Sequence, residues 1–226
     1  LRVVLHEQNS VLGRANRLLA PRVDRIALSF EKTAELRDQD MKRSQWTGNP
    51  VRPEIAAISG QPYPAIEEGK PIRLLITGGS QGAQVLGETV PAAIASLPET
   101  MRKRLRIAQQ VRAEQLEAVT SAYRDAGVVA DVRAFFDDMP KRLGDAHLLI
   151  GRAGASTTAE LTCVGRPAIL IPYPYAIDDH QTANAARLCD DAGAWMIPQK
   201  DFTADALADR LLQLIAKPQV LETAAS

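Results

Sequence analysis

Ser156, Thr157 and Thr158 stand in a row just past Gly154, and Glu160 follows close behind. Hydroxyls crowded at a helix start can cap the helix or bind a phosphate. The first backbone N–H groups there are unpaired, and the helix dipole favours anions. A carboxylate one turn further on suits the vicinal diol of a ribose, because it accepts two hydrogen bonds. The plainer reading of the same residues is a capped helix with Glu160 in solvent. A second cluster reads Gly78-Gly79-Ser80-Gln81-Gly82-Ala83. It lacks the Lys-Ser/Thr of a P-loop and is not GxGxxG. Its glycines allow tight turning and close backbone approach, and Ser80 can donate to a phosphate oxygen. A simple strand-to-helix turn is the alternative.

Three further groups carry possible chemistry. Asp178-Asp179-His180-Gln181-Thr182-Ala183-Asn184 holds Gln181 and Asn184, amides suited to sugar hydroxyls, while Asp178 and Asp179 could equally be helix N-caps. Arg52 could pair with a phosphate or bond a base, or simply be solvated. His6-Glu7-Gln8-Asn9 is a polar cluster at a strand end, and His6 and Glu7 are the acid/base candidates there; a polar loop is the simpler reading. Asp38-Gln39-Asp40 matches the DxD of metal-dependent glycosyltransferases, but its charged, helix-like surroundings read as a solvated face. His147 has no partner cluster and reads as structural, and Cys163 as core.

These residues need elements to position them. Strand-like apolar runs lie at 2–5 and 26–29, with a helical pattern at Val11, Leu12, Ala15, Leu18 and Leu19 between them. Residues 1–48 hold too few strands for an independent α/β domain and are expected to be the tail of one that began earlier. Gly48-Asn49-Pro50-Val51-Arg52-Pro53 is turn-rich, and 49–70 reads as an interdomain linker with 54–70 as surface connection. From residue 71 a regular alternation sets in. Strands are expected at 72–77, 105–109, 128–135, 147–150, 167–171 and 194–197. Helices are expected around Leu86–Leu97 and at 112–126, 156–164, 181–192 and 204–216. Such alternation implies a parallel sheet with right-handed crossovers, and ligands beyond the carboxyl ends of its strands.

Composition narrows the function classes. Lys+Arg and Asp+Glu both number 27, so no basic field marks the chain for nucleic acid. Its two cysteines, Cys163 and Cys189, have no metal-ligand spacing, which fits a reduced cytosolic protein. The longest apolar stretch, 167–177, contains three prolines and is too short to span a bilayer. No metal and no cofactor is expected.

Taken in order, the motifs resemble the MurG family of N-acetylglucosaminyltransferases. The stretches that carry the resemblance are His6-Glu7-Gln8-Asn9, Gly48-Asn49-Pro50-Val51-Arg52, Gly78 to Ala83, Phe136-Asp137-Asp138-Met139, Arg152 to Glu160, and Asp178 to Ala185. Together they cover nearly the whole chain. The resemblance implies a GT-B type α/β fold: a Rossmann-like C-terminal domain at 71–226 and part of a Rossmann-like N-terminal domain at 1–48. It implies inverting transfer of GlcNAc from UDP-GlcNAc to the MurNAc 4-hydroxyl of lipid I, giving lipid II, at the cytoplasmic face of the bacterial membrane. Glu160 would hold the ribose hydroxyls. Ser80 and the helix start at Ala155, Ser156, Thr157 and Thr158, with Ala159 on the same turn, would hold the diphosphate. Phe136 would supply backbone contacts to uracil, and Arg52 would lie near the nucleotide. Gln181, with His180 and Asn184, would bind GlcNAc hydroxyls, and Asn9 would reach the sugar from the other side. The family's N-terminal glycine-rich loop, its usual histidine base, the domain bearing its membrane patch and its last helix are missing from this sequence. His6 and Glu7 are weak substitutes for the base. The rival readings are another UDP-sugar GT-B enzyme and a non-catalytic nucleotide-sugar-binding module.

Overall fold

Every strand pairing among the described residues is parallel, as the strand–helix alternation requires. The computed structural model describes residues 1–79 and 84–225. Ser80, with its neighbours Gln81, Gly82 and Ala83, lies outside the described residues, as does Ser226. A small sheet comes first, ordered β1 (Val4–Glu7), β2 (Arg25–Leu28), β3 (Ser44–Trp46). Its helices are α1 (Arg14–Leu19) and α2 (Asp38–Met41), and α3 (Pro53–Ala56) follows.

The larger sheet contains β4 (Ile72–Thr77), β5 (Leu105–Gln110), β6 (Val129–Arg133), β7 (Leu148–Gly151), β8 (Ala168–Leu170) and β9 (Ala194–Met196). Its helices are α4 (Gln84–Ser96), α5 (Glu99–Arg102), α6 (Leu116–Asp125), α7 (Met139–Asp145), α8 (Ala155–Val164), α9 (His180–Asp190), α10 (Ala204–Ile215) and α11 (Pro218–Ala224). Side chains alternate faces along a strand, so this sheet is apolar on both. Ile72, Leu74, Ile76, Leu148 and Ile150 pack under Leu86, Val90 and Ile94 of α4, Tyr123 of α6 and Leu211 of α10. Leu75, Leu149 and Leu170 face the opposite way, onto Ile55 of α3, Leu143 of α7, Leu161 of α8 and Ala185 of α9. The result is a three-layer, doubly wound domain. No helix among the described residues is long and apolar enough to cross a membrane.

The strand order is β6-β5-β4-β7-β8-β9, so the winding reverses between β4 and β7. Crevices that hold ligands open at such a reversal. The register pairs Thr77 with Gly151, which sets the two glycine-marked strand ends side by side.

Three expectations are corrected. The first strand runs over Val4–Glu7, two residues later than expected, so His6 and Glu7 lie within it, paired to Ala27 and Leu28 of β2. Asp40 is fully buried rather than solvated, clamped by Arg37 and Arg43. Burial alone would raise its carboxyl, but hydrogen bonds from these two arginines hold it below its usual range. Residues 54–70 are not simply surface: Ile55 is in the core, and the Tyr63 hydroxyl donates to the His147 carbonyl at 2.8 Å. β3, α3, α5, α7 and α11 had no sequence reading; for β3, Ser44-Gln45-Trp46 is too short and polar to show a period.

His147 is structural, as expected. It is buried, and its Nδ1 accepts the Arg73 N–H at 2.9 Å. Burial, aided by the positive charge of Arg73, pushes its pKa down to about 4. The unfolded chain takes up this proton near pH 6.5, while the folded chain does so near pH 4. Stability is therefore complete above pH 6.5 and falls as pH drops through that window, by about 2 kcal/mol after allowance for solvent screening. Urea midpoints measured from pH 7.5 to 4.5 should show this slope, and His147→Asn should flatten it.

Candidate functional site

The site is built where β4 and β7 end. β7 closes on Gly151, and Ala153 is buried beneath the turn into α8. Gly154 occupies the N-cap position of α8 in extended conformation, and no side chain caps the helix. Its first N–H groups are thus left for a ligand, and Gly154, Ala155, Ser156 and Thr157 line a cleft of about 1230 Å³. Across the turn, Gly79 takes φ +77°, a conformation that glycine adopts without steric cost. The Thr77 hydroxyl donates to Gln110 Oε1 at 3.0 Å and accepts the Gly79 N–H at 3.3 Å, bracing this strand end.

Glu160 also lines the cleft, and it is not solvated. Its Oε1 and Oε2 accept from Nε and Nη2 of Arg52 at 2.8 and 3.1 Å, a fork-to-fork pair. Arg52 is the residue just before α3, which packs against α8 through Ile55 and Leu161. The segment leading into α3 therefore delivers a cation to the carboxylate of the second junction. Two bonds to Arg52 leave Glu160 lone pairs for a diol.

His180 and Gln181 face the same cleft from the start of α9. His180 Nδ1 lies 2.6 Å from the Ile177 carbonyl, which can only accept, so Nδ1 carries the proton and Nε2 is the free acceptor. Gln181 Oε1 accepts the Tyr173 N–H at 3.0 Å, which fixes its amide and points the NH₂ outward as donor. Asn9 reaches the cleft from the small sheet. Phe136 is buried, with the Arg142 guanidinium 3.9 Å above its ring. Arg142 is in turn locked by Asp131 at 2.7 Å and Asp138 at 2.6 Å. These contacts brace the loop after β6 where it borders the cleft.

Six of the residues singled out from sequence lie elsewhere or are fully engaged. Thr158 is buried, and its hydroxyl donates back to the Gly154 and Ala155 carbonyls, so it is not a phosphate ligand here. Ala159, on the same helix, does not line the cleft. Asn184 is wholly buried: its amide donates to Asn9 Oδ1 at 3.1 Å and the Ala153 carbonyl at 3.2 Å, and accepts the Ser10 N–H at 2.9 Å. That leaves no donor for a sugar; the residue ties the two sheets together. Glu7 accepts from the Asn9 N–H, the Asn9 amide, the Gly13 N–H and the Asn16 amide at 2.7–3.1 Å. All its lone pairs are used, so it organises the loop after β1 and has none to spare as a base. His6 Nε2 sits 3.2 Å from both the Gly48 carbonyl and the Ser29 hydroxyl, away from the cleft. Asp179 occupies the N-cap position of α9, but its carboxylate accepts from Thr182 Oγ1 rather than from a backbone N–H.

Sequence reasoning passed over Arg152 and Phe135, which also border the cleft. Arg152 donates to the Ile171 and Pro172 carbonyls at 3.0 and 3.1 Å and to Gln199 Oε1 at 2.6 Å. Its place directly after Gly151 was the available signal. Phe135 is exposed, and an aromatic next to an aromatic in a strand pattern gave no hint of this. Among the described residues no group of three or more His, Cys, Asp or Glu is placed to hold a metal ion.

The arrangement offers an uncapped helix start for an anion, a paired carboxylate for a diol, and polar atoms from α9 for further hydroxyls. Residues 73–226 match the glycosyltransferase family 28 C-terminal domain. The chain is 53% identical over 224 residues to the UDP-N-acetylglucosamine–N-acetylmuramyl-(pentapeptide) pyrophosphoryl-undecaprenol N-acetylglucosamine transferase of Rhodospirillum centenum, covering 99% of this chain and 59% of that protein. It is 54% identical to the protein of the same name from Paramagnetospirillum magneticum, covering 96% of this chain and 58% of the relative. The crystal structure of Acinetobacter baumannii MurG superposes with a TM-score of 0.81 at 33% identity, over 99% of this chain and 61% of that one. The chain thus spans about three-fifths of the length of these relatives.

Proposed function

The chain belongs to glycosyltransferase family 28, within its MurG group and with a GT-B type α/β fold, and from that membership we propose that it forms the donor-binding part of a GlcNAc transferase. The whole protein transfers GlcNAc from UDP-GlcNAc to the MurNAc 4-hydroxyl of lipid I, with inversion, and works at the cytoplasmic face of the bacterial membrane. Residues 1–48 belong to the acceptor-side domain, 49–70 to the linker and 71–226 to the donor domain. The observation that carries this reading is the pairing of Thr77 with Gly151, which brings both glycine-marked turns into one cleft with Glu160, His180 and Gln181.

In this reading the uridine ribose sits on Glu160, beside Arg52, and uracil lies against the backbone at Phe136. The diphosphate meets the N–H groups of Ala155, Ser156 and Thr157. These groups are fixed before the reaction, so they stabilise the charge that grows on departing UDP without having to reorganise. The GlcNAc hydroxyls meet Nε2 of His180 and the amide of Gln181. Glu7 is not the base for the acceptor hydroxyl, since its lone pairs are occupied.

The direct test is transfer from UDP-GlcNAc to a lipid I analogue by the full-length protein. Equal use of other UDP-sugars would favour a different GT-B transferase. Binding of UDP-GlcNAc with no transfer would favour a binding module. Because helix N–H groups take the role of a cation, added chelator should leave the UDP dissociation constant unchanged in calorimetry.

A further inference from the structure

Asp178 and Asp179 both adopt left-handed backbone, at φ 54° and φ 50°. Asp tolerates this region better than most residues, yet two in succession carry a steric penalty that persists only where the surroundings impose it. What holds Asp178 comes from the other sheet. Its carboxylate accepts from Arg14 Nε at 3.2 Å through Oδ1 and from Arg17 Nη2 at 2.7 Å through Oδ2. Both arginines stand on α1, and Arg17 is braced by Glu35 at 3.3 Å. The Asp178 side chain is only 17% exposed, so the pair to Arg17 is partly shielded from water.

The residues that follow this turn are His180 and Gln181. Each takes its orientation from the same loop, His180 through the Ile177 carbonyl and Gln181 through the Tyr173 N–H. One turn later Asn184 makes the second tie to the small sheet, through Asn9 and Ser10. Among the described residues, no hydrogen bond or ion pair joins Glu160 or the start of α8 to the Asp178 clamp.

We infer that Asp178, held by Arg14 and Arg17, is a positioning residue for sugar recognition: it fixes the left-handed turn that aims His180 and Gln181 into the cleft. Sugar recognition is thereby coupled to the placement of α1 on the opposite side. This rests on the reading that His180 and Gln181 take the sugar of UDP-GlcNAc. Loss of the clamp costs the sugar contacts and spares those to UDP.

The test is calorimetry of the full-length protein with UDP and with UDP-GlcNAc, together with the KM for UDP-GlcNAc. Asp178→Gly keeps the left-handed turn free of steric cost while removing both ion pairs, and Arg17→Ala removes the stronger one. In both variants the dissociation constant and KM for UDP-GlcNAc should rise about tenfold, the scale of one charge-assisted hydrogen bond, while UDP binding stays within about twofold. Arg17→Lys should recover most of the loss. Equal weakening of both ligands, or no change in either, would overturn the clamp and leave the donor-site reading standing. A wild-type protein that binds neither ligand would overturn both.

Discussion

Glu160→Ala should weaken UDP binding by about 2 kcal/mol, roughly thirtyfold, and do so through the ribose. In the proposed site, two hydrogen bonds from ribose hydroxyls to the Glu160 carboxylate would be lost. The loss is smaller than their sum because Arg52, now held by Glu160 at 2.8 and 3.1 Å, is freed to face the diphosphate. Calorimetry with UDP and with 2′-deoxy-UDP separates these contributions. The penalty should shrink by about half for the deoxy ligand, which offers one hydroxyl fewer. An identical penalty for both ligands would take Glu160 off the ribose and leave its bond to Arg52 as a purely structural contact.

Gly151→Ala should be among the most damaging small substitutions in the larger-sheet domain. A Cβ built there lies 2.6 Å from the Thr77 carbonyl oxygen and 3.1 Å from Leu149 Cδ2. The first of these is backbone on the neighbouring strand, so no side chain can swing aside, and β4 and β7 must part. Overpacking of this kind costs about 3 kcal/mol, or roughly 6–12 °C in melting temperature for a chain of this size. The strands part where the two junctions meet, so UDP affinity should fall with stability. A variant with wild-type melting behaviour would mean that the close approach of the two strands is not needed.

The apolar runs of Ile72 to Thr77 and before Gly151 were readable because each is a local pattern. That the two strands are neighbours was not. β5 and β6 lie between them in the chain, and the pairing of Leu74 with Leu148 is set by the whole sheet. The same distinction separates the site residues. Ser156 and Gln181 sit at helix starts, with Glu160 one turn further along α8, and a helix start carries its own chemistry. Asn184 and Glu7 look like equally good ligands in the sequence. Their hydrogen bonds are taken by partners that only folding supplies, such as the Ser10 N–H for Asn184. Asp40 was misread for a similar reason. A carboxylate flanked by Arg37 and Arg43 has the same pattern whether it faces water or is buried between the two guanidinium groups.

The reversal of winding between β4 and β7 also orders events in time. A chain emerging from the ribosome can pair β4 with β5 and β5 with β6 as soon as these segments are out, since each is followed closely by its neighbour. The other flank of β4 must wait for Leu148 to Gly151, and these strands close long loops, which slows their docking. One half of the cleft is therefore made early, with its apolar flank open, and the other half late. Until β7 arrives, Leu74 and Ile76 have no partner strand on that side. A nascent chain stalled in this interval would present that open apolar edge to other chains and to chaperones.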